Sequence, residues 1–105
     1  MATKLALLQG HEQVIADIKE LVDDGKPVGY LFKNPHRISA EKDFLAESSE
    51  DRKIHVTLAP WILLSADSEV LIPKNQVVTI VEPIDSVKEM YSEKLNGSDG
   101  ISTDE

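Results

Sequence analysis

Among the residue types that could do chemistry, the imidazoles come first, because a neutral ring nitrogen is the commonest protein ligand for a transition metal. His11, His36 and His55 have neither the i, i+4 nor the close spacing of a metal motif, and the chain has no cysteine to complete one. They are expected to be surface histidines, with no metal. Two pairs of adjacent acids, Asp23-Asp24 and Glu50-Asp51, have the composition of a carboxylate dyad, yet no nucleophile or phosphate-binding loop accompanies either. No catalytic constellation emerges. The expectation is a protein that is not an enzyme, needs no cofactor and works by binding.

Binding chemistry is better represented. Lys33, Asn34, His36 and Arg37 form a small basic run around Pro35, which suits an ordinary exposed strand or, alternatively, phosphate contact. Tyr30 and Phe32, just ahead of it, offer aromatic faces on which a base could stack, though Phe32 also suits a core and Tyr30 an interface. Trp61, the lone tryptophan, either anchors a partner or is buried under the sheet.

Charge narrows these options. The chain of 105 residues carries a net charge of -8, which argues against gripping phosphates over a broad surface. The charge is uneven: five acids and two bases lie between Glu41 and Arg52, and three acids and no base between Gly97 and Glu105, so these two segments supply -6. The remainder is close to neutral and leaves room for a locally basic loop. A single domain of this size has a thin core and gains from burying surface against copies of itself. Absence of cysteine is compatible with a reducing compartment, and the apolar stretch Leu5 to Leu8 is too short for a signal segment or membrane span. A cytoplasmic protein without a membrane partner is expected.

The elements that must position these residues are mainly β. Lys4 to Leu8 reads as a short strand running into a turn at Gln9-Gly10-His11-Glu12. In Gln13 to Val22 the apolar positions Val14, Ile15, Ile18, Leu21 and Val22 have helical spacing, while Val14, Ala16, Ile18 and Val22 also alternate; spacing alone favours helix by a small margin. Asp23-Asp24-Gly25-Lys26-Pro27 is a chain reversal. Val28 to Ser39 follows as a strand bent at Pro35. Ala40 to Arg52, polar apart from Phe44 and Leu45, reads as a long exposed loop. Lys53 to Leu58 alternates cleanly as a half-buried strand. Ile62-Leu63-Leu64 reads as a covered crossing segment. Val70 to Ile72 and Val77 to Val81 are strand cores joined by a tight turn at Pro73-Lys74-Asn75-Gln76. The last element is a helix with Pro83 in its first turn, an apolar stripe of Ile84, Val87, Tyr91 and Leu95, and a stop at Asn96-Gly97. The stripe suits packing on the sheet or, alternatively, a protein partner. Beyond it, residues 97–105 form an acidic tail expected to fray.

This order of elements resembles the Sm-like (LSm/Hfq) proteins. Leu7, Gly10, Val14, Ala16 and Ile18 are similar to the first Sm motif, with one residue more in the turn. Val70 to Ile80 resembles the second, with Pro73 and Lys74 standing where the family usually has arginine and glycine. Gly10, Val14-Ile15-Ala16-Asp17, Leu31-Phe32-Lys33-Asn34-Pro35, Pro60-Trp61, Ile72-Pro73-Lys74, Val77-Val78-Thr79-Ile80 and Glu82-Pro83 together resemble the Sm-like proteins of marine cyanophage type. The resemblance covers the chain except residues 40–52 and the tail.

That resemblance implies a strongly bent five-stranded antiparallel barrel with a C-terminal α-helix over residues 1–96, in which Gln13 to Val22 is a strand. It implies self-assembly into cyclic rings of roughly five to seven copies through edge strands, a closed head-to-tail symmetry. It also implies, for a phage-encoded protein in host cytoplasm, binding of single-stranded RNA or DNA at loops facing the pore. Asp23 and Asp24 fall one or two positions after the family's base-binding aspartate, Lys26 near its asparagine, and Pro73 in place of its arginine. The candidate contacts are then Lys74, Asn75 and Gln76 as a polar rim, with Lys26, Tyr30, Lys33, Asn34 and Arg37. The rival expectation is an adaptor ring that meets proteins through its helix and tail, the Lys74 turn being merely solvated.

Overall fold

A computed structural model describes residues 2–42 and 54–96. The chain is mainly β with one C-terminal helix. In order come β1 (Ala2–Leu8), β2 (Gln13–Asp23), β3 (Lys26–Lys42), β4 (Ile54–Pro60), β5 (Glu69–Pro73), a 3-10 turn at Lys74–Gln76, β6 (Val77–Val81) and α1 (Asp85–Leu95). All strand pairings are antiparallel, in the order β4-β3-β2-β1-β6, with β5 also on β3. The described residues form six strands rather than five. Among the described residues no ladder joins β6 to β4 or β5, so the sheet is open rather than a closed barrel.

The helical reading of Gln13 to Val22 is corrected by β2, and the reason lies in what covers it. Val14, Ala16 and Ile18 are buried in one cluster with Ala6, Leu8, Phe32 and Ile72, whereas Ile15 is buried on the opposite face with Leu58, Val87 and Tyr91 of α1. A strand covered on both faces loses its period of two, and the apolar run that results imitates a helix.

On the side away from β2, β3 carries one strand partner along its first half and another along its second. Residues 29–33 pair with β5 and residues 36–42 with β4. The switch is made by a bulge: Asp17 pairs with Lys33 and Ile15 with His36, so Asn34 and Pro35 together face the single residue Ala16. Asn34 takes a positive φ of 52°, a conformation asparagine tolerates better than most residues. Such an insertion bends the strand and raises its twist, as Pro35 leads one to expect. Because Ala40 to Lys42 continue β3, the expected loop starts later than its sequence suggests; its remainder, with Phe44, Leu45 and Glu50-Asp51, lies outside the described residues, as do residues 97–105.

Two further expectations change. Ile62, Leu63 and Leu64 are 48%, 72% and 95% exposed rather than covered, because Trp61 alone turns inward, its ring centroid 6.5 Å from that of Phe32. Pro83 is buried ahead of the helix rather than in its first turn, and Ile84 takes the extended N-cap position with φ -68° and ψ 157°. The stripe divides accordingly: Val87 and Tyr91 are buried, while Ile84 and Leu95 remain exposed. Among the described residues no helix is long and apolar enough to cross a membrane.

Candidate nucleic-acid interface

The candidate residues fall into two groups. The first is built on hairpin and turn geometry. Asp24 and Gly25 both have positive φ, 57° and 79°, the signature of a two-residue primed turn that matches strand twist, and Lys26 is the first residue of β3, opposite Asp23. Three residues on, Gly29 pairs with Pro73, so β5 delivers the 3-10 turn beside the start of β3. Lys74, Asn75 and Gln76 are all exposed. The Gln76 carbonyl accepts from the Gln9 amide at 2.9 Å, and the Val77 amide closes the turn on the Lys74 carbonyl. The turn is therefore fixed by backbone bonds at its far end while its side chains stay in solvent. Lys74 makes no hydrogen bond or ion pair through its side chain among the described residues.

Lys33, Asn34 and Arg37 form the second group, at the bulge. Lys33 is seven residue steps along the strand from Lys26, roughly 23 Å at the usual rise. The two groups do not make one site. Lys33 is flanked across the sheet by Asp17 and Glu69, so its surroundings are acidic rather than basic. The Asn34 backbone is committed to the fold: its N–H donates to the Ser68 carbonyl at 2.6 Å and its C=O accepts from the Tyr91 hydroxyl at 3.0 Å. His36 Nδ1 lies 2.9 Å from the same carbonyl, and its ring meets Tyr91 edge-to-face at 5.7 Å. Arg37 is exposed between Val14 and Ala59. Tyr30, between the groups, is half-buried against the Phe32 cluster and opposite Glu20 and Ile72.

Residues 1–96, ending just past α1, match a family model described as a family of unknown function, DUF6561. The chain belongs to the DUF6561 family. No curated protein matches it.

Two of the concavities among the described residues of the DUF6561 chain, away from the candidate contacts, are not announced by its sequence. A polar cleft of about 640 Å3 is lined by Thr3, Asp17, Glu82, Asp85, Lys88 and Tyr91, among others. Within it the Glu82 carboxylate accepts from Lys4 and from Lys88, the latter at 2.9 Å. The hydrogen bonds from Lys4 and then Lys88 hold Glu82 down at about 2, and the same contact raises Lys88. A carboxyl so displaced is an ion-pair anchor and is poorly matched to proton transfer near neutral pH. Thr3 donates to Asp17 at 2.7 Å. The second concavity, of about 250 Å3, is apolar and lies between the start of α1 and the sheet. Lys4 and Glu82 are 78 residues apart, and no local spacing rule links them. Among the described residues no cluster of three or more His, Asp or Glu is placed to hold a metal.

Proposed function

We propose that this chain is a ring-forming Sm-like protein that binds single-stranded RNA or DNA through the Lys74–Gln76 turns, without catalysis. The observation that carries the reading is an exposed lysine-bearing 3-10 turn joining two of the three edge strands of the described sheet, β5 outside β3 and β6 outside β1. The five strands of the Sm-like pattern correspond to β1, β2, β3, β5 and β6, and β4 is an addition on the bent half of β3. The outer edges of β5 and β6 carry no ladder among the described residues. Unpaired edges of this kind invite another strand, and pairing β5 of one copy with β6 of the next gives a repeating, head-to-tail contact that closes as a ring. One lysine per copy then becomes a circle of ammonium groups able to draw in phosphate.

Fluorescence anisotropy of labelled oligo-U, oligo-A and oligo-dT over a salt series tests this, with light scattering on the same samples. Binding should weaken with salt, and Lys74→Ala should weaken it further while reducing the salt slope by about 1 for each phosphate that the lysine no longer neutralises. Identical binding by Lys74→Ala and wild type rejects the Lys74 site. Exposure of Ile84 and Leu95 on the helix side favours a second reading, an adaptor ring for protein partners. An intact ring that ignores all three oligonucleotides at low salt selects it.

A further inference from the structure

β1 is seven residues long, but only one of its two neighbours follows it along its first half. β2 pairs with residues 2–7, whereas β6 pairs only with residues 5–8. The chain leaves the line of β6 after Val81, where Pro83, which has no N–H to donate, leads into α1. Among the described residues, therefore, no strand lies beside residues 2–4 on the side away from β2, an edge of about 10 Å at the usual rise. Ala2 and Thr3 line the polar cleft of about 640 Å3, and α1 lines it along its whole length, from Asp85 to Leu95. An unpaired strand edge that opens beside a helix is a seat for an extended chain, which main-chain hydrogen bonds hold by adding it to the sheet.

The width of the cleft is set before anything enters. Tyr91 fastens α1 to the carbonyls of Lys33 and Asn34, and Glu82, bonded by Lys4 and Lys88, ties the start of the helix to β1. Preformed walls lose little entropy on docking. Charge decides the sign of the occupant. Asp17, Glu82, Asp85 and Glu89 line the cleft with Lys88, and Lys4 answers Glu82, so four acids face two lysines and leave a net charge of -2. Lys33, opposite Asp17 across the sheet, is itself opposite Glu69 on its other side. The side chains of Asp85 and Glu89 are exposed and make no hydrogen bond or ion pair among the described residues.

We propose that the cleft between the β1 edge and α1 binds an extended segment of a partner protein rich in lysine or arginine, added as a strand beside residues 2–4. Alternate side chains of such a strand point to the face that α1 covers, where the unanswered acids stand. A nucleic acid and a second copy of this chain, at -8, both have the wrong sign. The inference goes beyond the nucleic-acid reading and needs neither Lys74 nor a ring.

The probe is a fluorescein-labelled peptide alternating valine and lysine. Its control has the same sequence with N-methyl groups on alternate peptide bonds, which keeps the charge and removes one bonding edge. Anisotropy at low salt should show the first binding and the control failing to bind. The variant carrying both Asp85→Asn and Glu89→Gln, which changes two exposed side chains, should bind the first peptide about tenfold more weakly, the size expected for two exposed charge pairs. Amide hydrogen exchange in residues 2–4 should slow when the peptide is present. Equal binding of the methylated peptide means attraction by net charge alone and overturns strand addition. Unchanged affinity in the double variant, or slowing confined to β5 or β6, puts the peptide elsewhere and overturns the cleft. No binding at low salt overturns the proposal outright. None of these outcomes bears on oligonucleotide binding at Lys74.

Discussion

Gly29 shows how one missing side chain sets the shape of the sheet. A Cβ built there would lie 2.7 Å from the backbone carbonyl oxygen of Ile72, closer than packed atoms approach, and that oxygen belongs to the strand that leads into Lys74. Neither backbone can yield without shifting the β3–β5 ladder. Gly29→Ala is therefore expected to cost about 1–3 kcal/mol, the usual range for overpacking, read as a lower urea midpoint at unchanged slope. An isolated glycine between Val28 and Tyr30 is the sequence signal for such a close approach, but it does not name the strand that comes near.

At the scale of elements, α1 is fastened to the β3 bulge by one phenol. Tyr91 is 2% exposed and its hydroxyl is shared between the carbonyls of Lys33 and Asn34 at 3.1 and 3.0 Å. Burial, helped by the nearby Asp17 charge, pushes its ionisation well above the ordinary phenol range. In the unfolded chain the phenol deprotonates near about 10, so the stability this group contributes is complete below that pH. It is lost as pH rises beyond it, because the unfolded state then binds fewer protons than the folded one. Tyr91→Phe removes that alkaline component and the one donor that the two carbonyls share, at a cost of about 1–2 kcal/mol near neutral pH. Denaturation of both proteins from pH 7 into the alkaline range, above about 10, should show the wild type losing its advantage only at the alkaline end. A difference independent of pH would show that the phenol is not shielded as described.

For the whole molecule, the net charge of -8 per copy works against assembly. Copies repel one another, and the repulsion fades as the screening length shortens to about 8 Å at physiological ionic strength. In the proposed ring, contacts made by strand edges do not weaken in the same way. Salt is therefore expected to raise the assembled fraction while lowering affinity for nucleic acid, which depends on counterion release. Light scattering and anisotropy on one salt series check both signs. Assembly that falls with salt would mean that the copies are held by charge rather than by strand edges.

The sequence by itself determined what depends on neighbours along the chain. Alternation in Ile54, Val56 and Leu58, the Asp24-Gly25 reversal, two apolar runs around Pro73 to Gln76, and a helical stripe before Asn96 all appear as β4, the β2–β3 turn, β5 with β6, and α1. These signals are local because turn dihedrals and half-burial leave their mark within a few residues. Residue spacing did not show that β2 is a strand, which the family resemblance implied, since burial on both faces erases its alternation, and only the tertiary structure decided that Asn34 stands in a bulge. It alone separated Lys33 from Lys74, brought Lys4 to Glu82, and left Ile62 to Leu64 in solvent. Each of these is set by which distant segment covers a given face, a long-range choice that periodicity does not record.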